Sequence, residues 1–172
     1  MKNALRVLLV ATVSLLAVII IPTGHAQNID RVLFKETPGW TITTYRAKDS
    51  KEFLRCSAER HYDNGTALTI ARTVPRYTLA FTSTSWPFED KSMHLVSAHV
   101  DASEILSVEG RVRLLNSGPI IFMSVESGDA IIPKLSKGKM LHVHAEQTSV
   151  DFDLTGSADV MMGLDECWRA GK

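Results

Sequence analysis

From Trp40 onward, apolar and polar residues alternate in short runs separated by turn signals. That is the pattern of a mainly β domain, an antiparallel sandwich or barrel-like sheet. Trp40 and Ile42 alternate with threonines over 40–45, while Leu54, Cys56 and Ala58 share one face of 52–60, opposite Phe53, Arg55 and Ser57. Asp63, Asn64 and Gly65 supply a hairpin turn, because Asn-Gly tolerates the positive φ of a tight reversal. Further strands are predicted over 66–74, 77–83, 93–100, 107–115 and 119–126, with a loop over 83–92 and a turn at Asn116 to Gly118. Residues 127–139 mix Gly, Pro and Lys and read as a loop with one helical turn. The period then changes. Val160, Leu164 and Cys167 recur at helical spacing with Met161 and Trp168 beside them, so a C-terminal helix is expected to pack on the sheet. Ser157 suits its N-cap and Asp159 its first turn, while Gly163 weakens it by about 1 kcal/mol relative to alanine.

The segment 141–154 combines this patterning with chemistry. A hairpin centred on Gln147 and Thr148 pairs His144 with Asp151 and His142 with Asp153. Leu141, Val143, Ala145, Val150, Phe152 and Leu154 then share one face, and both histidines and both aspartates share the other. A one-residue slip would put charge on the core side, which a half-buried hairpin rejects. His142, His144, Asp151 and Asp153 are therefore candidate metal ligands, since two imidazoles and cross-strand carboxylates match a Zn²⁺ donor set. Against that stands a solvated sheet face of opposite-charge pairs, each contributing a few tenths of a kcal/mol to about 1 kcal/mol. The balance favours the solvated face. His94 and His99 are five apart and point to opposite faces of their strand, so at most one can join.

The two ends and the charge narrow the class. Lys2 and Arg6 precede an apolar run from Val7 to Ile21, broken by Pro22 and Gly24 ahead of Gly24-His25-Ala26. This is the arrangement of a secretory signal peptide over 1–26, and the run is short for a membrane anchor. Residues 27–172 form one domain's length. Removing Lys2 and Arg6 lowers the basic count from 19 to 17 against 19 acids, a net charge of about −2. Such a balance argues against nucleic acid as a partner, and the expected protein has no stable membrane insertion once the signal is removed. Cys56 and Cys167 are the two cysteines, and in an exported chain a disulfide between them is the expected state.

The pattern 152–168, with Phe152, Leu154, Gly156, Ser157, Leu164 and Cys167, resembles the C-terminus of the invasion associated locus B family. Trp40 and Cys56 answer to that family's N-terminal tryptophan and cysteine, though they stand farther apart here. The resemblance implies an exported, disulfide-bonded, β-rich domain of a Gram-negative bacterium, linked to host-cell association and without a known catalytic site.

No His-Glu-x-x-His, Gly-x-Ser-x-Gly, phosphate-binding glycine loop or paired-cysteine metal motif occurs, and no cofactor is implied. The expected function is that of a non-enzymatic periplasmic or secreted protein acting through protein contacts, envelope- or host-associated. Two other readings stay open. One is a metal-binding protein or metal-dependent enzyme built on the His/Asp hairpin face. The other is an inhibitor of a host hydrolase or protease that presents the 83–92 loop, with Trp86 and Phe88 as interface candidates. A loop tryptophan folded back over the sheet edge is the competing, and favoured, reading of Trp86.

Overall fold

The computed structural model describes residues 28–73, 75–116 and 118–172; the expected signal peptide lies outside the described residues. Ten strands are present among the described residues: β1 (Ile29–Thr37), β2 (Trp40–Ala47), β3 (Phe53–His61), β4 (Thr66–Thr73), β5 (Arg76–Ser83), β6 (Met93–Val100), β7 (Leu106–Leu115), β8 (Gly118–Glu126), β9 (Met140–Ala145) and β10 (Thr148–Asp153). They form one antiparallel sheet in the order β1-β2-β3-β4-β5-β8-β7-β6-β9-β10. A short helix, α1 (Ile131–Leu135), follows β8, and α2 (Ser157–Gly171) follows β10. The 127–139 segment thus contains the expected helical turn, its Ile131, Ile132 and Leu135 turned into the core.

The sheet rolls over on itself without closing. Phe152 of β10 meets Phe81 of β5 and Tyr62 beyond β3, each with ring centroids 5.6 Å apart, although these strands are far apart in the sheet order. Among the described residues β1 and β10 remain the unpaired edges. One apolar core results, drawing Ile42, Leu68, Ile70, Leu79, Phe81, Val96, Ile121, Leu141 and Phe152 from strands along the whole sheet. Rolling a twisted sheet over its own apolar face removes that face from water without a second sheet.

The C-terminal helix buries the expected stripe, Val160, Leu164 and Cys167. Gly163 has a packing reason: a Cβ there would sit 2.4 Å from Ile42 Cδ1, so glycine lets α2 lie close on β2. The helix starts one residue earlier than expected. Gly156 is the N-cap, at φ +84°, and Ser157 is buried as the first helical residue. Cys56 and Cys167 are disulfide-bonded, with Cα atoms 6.2 Å apart and both residues buried, so α2 is tied to β3 at the C-terminal end of its buried stripe.

β1 is the strand that the alternation pattern does not reveal. Its side chains are exposed on both faces, apart from the half-buried Asp30 and Thr37, so no period-2 signal marks it. It is held by β2 through a register that shifts between Leu33 and Lys35. No helix among the described residues is long and apolar enough to cross a membrane.

Candidate functional site

The His/Asp hairpin is present with a different register. Its turn falls at Glu146 and Gln147, and Glu146 takes a positive φ of 54°. Ala145 pairs with Thr148, Val143 with Val150, His142 with Asp151 and Leu141 with Phe152. The pairing is therefore two residues away from the expected one. A two-residue shift conserves the faces, so apolar residues still face the core and His142, His144, Asp151 and Asp153 still lie on the other side of the strands. What changes is the neighbour of each charged group.

His142 donates from Nδ1 to Asp151 Oδ1 at 2.8 Å. His144 faces Ser149 across the hairpin instead of an aspartate. On the other side β9 pairs with β6, which sets His99 directly opposite His142 and Ser97 opposite His144. The rings of His99 and His142 stack at 4.8 Å with planes 24° apart, and His99 and His144 lie 6.2 Å apart and nearly parallel. The residue that joins the cluster is thus His99, whose side chain shares this face through strand parity.

Asp153 leaves the cluster. Its carboxylate accepts from Arg60 Nη2 at 2.8 Å and from the backbone N–H and hydroxyl of Thr155 at 2.9 and 2.8 Å. The Thr155 backbone and hydroxyl bonds, with the Arg60 charge behind them, hold the Asp153 carboxyl below the usual carboxylate range. Among the described residues, no group of three or more His, Cys, Asp or Glu side chains is arranged to hold a metal ion. The four-ligand set His142, His144, Asp151 and Asp153 is not brought together.

The interface candidates are also placed differently from the exposed anchor that the inhibitor reading needs. Trp86 and Phe88 are each only 6% exposed, and their rings meet at 5.7 Å. Phe88 in turn lies 4.5 Å from the ring of His94, whose Nδ1 donates to Glu146 at 2.5 Å. The 83–92 loop therefore folds its aromatic residues inward, as burial of apolar area favours. A plug built on an exposed Trp86 loses its support.

The surface that the alternation pattern passes over is the β1 edge. Val32 is 53% exposed and Leu33 56%, with Phe34 and Ile29 also exposed, on a strand whose outer backbone edge has no partner strand among the described residues. Contiguous apolar exposure on an open edge is uncommon in a protein that works alone. The only sequence signal was local: Val32-Leu33-Phe34 flanked by Asp30-Arg31 and Lys35-Glu36, an apolar triplet between charged pairs. Comparison with protein-family models, curated proteins and solved structures finds no match to the chain.

Proposed function

We propose that this is an exported, non-enzymatic protein that works by binding another protein, and that the partner adds an extended segment to β1. The observation that carries the reading is the open edge with Val32, Leu33 and Phe34 exposed beside it. Such an edge offers backbone donors and acceptors to an incoming strand, and the apolar triplet adds side-chain contact. A second copy is disfavoured in the register that would pair the two apolar triplets with each other. Two-fold antiparallel pairing centred on Leu33 would set Asp30 against Glu36 and Arg31 against Lys35, like charge against like.

Export is supported by the charged start and apolar run of 1–26 and by the Cys56–Cys167 bridge, which an oxidising compartment maintains. The C-terminal resemblance to the invasion associated locus B family leans towards an envelope or host-cell partner. Fractionation of cells carrying the full chain should yield a processed form beginning near Gln27 outside the cytoplasm; an unprocessed cytoplasmic product would end the export reading. For the edge, a photo-crosslinking residue at Leu33 should capture one dominant protein from envelope or host-cell extracts. Val32→Lys combined with Leu33→Lys should abolish that adduct while changing stability by less than about 1 kcal/mol, as for other surface substitutions. An adduct that persists in the double variant would remove β1 from the interface.

A further inference from the structure

We propose that Ser92 is an activated nucleophile that accepts an acyl group from a carboxylic ester, with His94 as its general base and Glu146 as the residue that positions His94. The assignment does not depend on the partner reading above. Ser92 immediately precedes β6, His94 lies on it and Glu146 sits in the turn from β9 to β10, whereas β1 lies at the other end of the sheet order.

Three observations converge. The first is an ordered chain of hydrogen bonds. His94 Nδ1 lies 2.5 Å from Glu146 Oε1, and His94 Nε2 lies 2.7 Å from Ser92 Oγ. An ionised carboxylate only accepts, so Glu146 fixes the proton of the neutral ring on Nδ1 and leaves the Nε2 lone pair facing the hydroxyl. A nucleophile within reach of a base, and a base oriented by a third group, are the signature of an activated serine. Ser92 Oγ also lies 2.7 Å from the Glu89 carbonyl. Both acceptors serve one hydroxyl, so moving its proton from Glu89 to His94 is a rotation about the Cβ–Oγ bond that displaces no heavy atom.

The second is the seclusion of the base. The His94 side chain is 14% exposed, and its ring packs 4.5 Å from that of the buried Phe88. Removal from water strengthens the bonds on both ring nitrogens. Ser92 stays half-buried, within reach of a small reagent.

The third is backbone strain at both ends of the chain of bonds. Lys91, next to Ser92, has φ +66°, and Glu146 has φ +54°. Only four non-glycine residues among the described ones take a positive φ, and two of them hold this site. Backbone bonds to Val112 at 3.1 and 2.9 Å clamp Lys91 and Ser92 in place. Conformations of this kind persist where the surroundings over-determine them, and they cluster at functional sites.

In the transfer, Ser92 Oγ attacks the ester carbonyl carbon while its proton passes to His94 Nε2. The bond from Oγ to the acyl carbon forms and the bond from that carbon to the leaving oxygen breaks. His94 then returns the proton to the leaving oxygen, so the products are an acyl-serine and a free alcohol.

Incubation with p-nitrophenyl acetate tests the site, since nitrophenolate release is read optically and the acetyl group by peptide mass mapping. Ser92 should be acetylated faster than the exposed Ser149, although it is the less accessible of the two. His94→Gln should slow acetylation of Ser92 by about 10²–10⁴-fold. Glu146→Gln should slow it at least about tenfold, and Glu146→Asp should restore most of the rate, a rescue specific to a carboxylate that orients the base. Circular dichroism and melting curves establish that each variant is folded, and the comparison of Ser92 with Ser149 in the parent protein stands without any variant. Acetylation of Ser92 no faster than of Ser149, or a rate at Ser92 unchanged in folded His94→Gln, overturns the proposal. Nitrophenolate release that continues beyond one equivalent and is lost in Ser92→Ala supports the nucleophile and retires the non-enzymatic reading instead.

Discussion

Arg60 ties the first half of the sheet to the end of β10. Its guanidinium donates to the carbonyls of Asp153 and Thr155 at 3.2 and 2.8 Å and to the Asp153 carboxylate, and it lies over the ring of Tyr62 at 4.9 Å. Tyr62 donates to the Asp153 carbonyl at 2.8 Å, and Trp40 donates from Nε1 to the Thr155 carbonyl at 3.0 Å. These side chains from the first half of the sheet thereby satisfy the backbone where β10 gives way to α2, holding the rolled sheet shut where no strand pairing does. The charges make this clasp sensitive to pH. The folded-state pKa of Asp153 lies below its ordinary value of 3.8. Its contribution to stability is therefore complete above that value and is lost as pH falls through the lower folded-state pKa. Tyr62 behaves in the opposite sense. Burial pushes its hydroxyl up to about 12 from 10.0, against the opposing pull of Arg60 and with some help from Asp153. The stability it contributes is complete below pH 10 and disappears as pH climbs towards 12. Urea midpoints measured across pH should show a shallower acid limb below pH 4 in Asp153→Asn. They should show a shallower alkaline limb above pH 10 in Tyr62→Phe. Unchanged limbs in both variants would mean that the clasp does not titrate with folding.

At the scale of elements, α2 and its disulfide are the test of how the fold is fastened. The helix buries Val160 and Leu164 against the sheet, with Gly163 lying against Ile42, so packing alone gives it a docking position. The bridge adds a constraint on the unfolded chain, closing a separation of 111 residues. Replacing both cysteines with alanine should cost about 2–5 kcal/mol in denaturant unfolding, with α2 still docked in the folded state. A loss below about 1 kcal/mol would show that the bridge only decorates a helix already fixed by packing. Both the helix and the bridge were legible, the helix from its 3.6-residue apolar stripe and the bridge because two cysteines in a chain read as exported allow one intramolecular pairing. Strands β2 to β8 were legible for a related reason: each has one face in the core. The hairpin faces were legible, but its register was not. The turn depends on Glu146 at positive φ, a conformation for which the sequence gives no glycine or asparagine as a marker. β1 was hidden for want of a buried face, whereas the burial of Trp86 agrees with the favoured reading of a loop tryptophan folded back over the sheet. The histidine cluster was half legible. Parity gave His142 and His144, whereas His99 needed the β6–β9 pairing, a contact between strands separated by β7, β8 and α1 in the chain.

For the whole molecule, one core serves one rolled sheet, and local stability should follow distance from it. β1 contributes no residue to the buried cluster, whereas β4 and β5 lie within it. Hydrogen exchange followed by mass spectrometry should therefore release β1 amides first and β4 and β5 amides last, with β1 protected when a partner strand occupies its edge. Uniform protection from β1 through β5 would mean that the edge strand unfolds only with the globule. The long cross-link carries a further consequence in time. At roughly 5–20 residues per second, Cys56 leaves the ribosome about 6–20 s before Cys167. During that interval its thiol has no intramolecular partner, while β3 and β4 are already complete enough to pair. The nascent protein is thus a transient nucleophile, able to attack a disulfide of oxidised glutathione, of an oxidoreductase or of a neighbouring chain and release the other sulfur as a thiolate. The last helix ends that exposure by delivering the second sulfur.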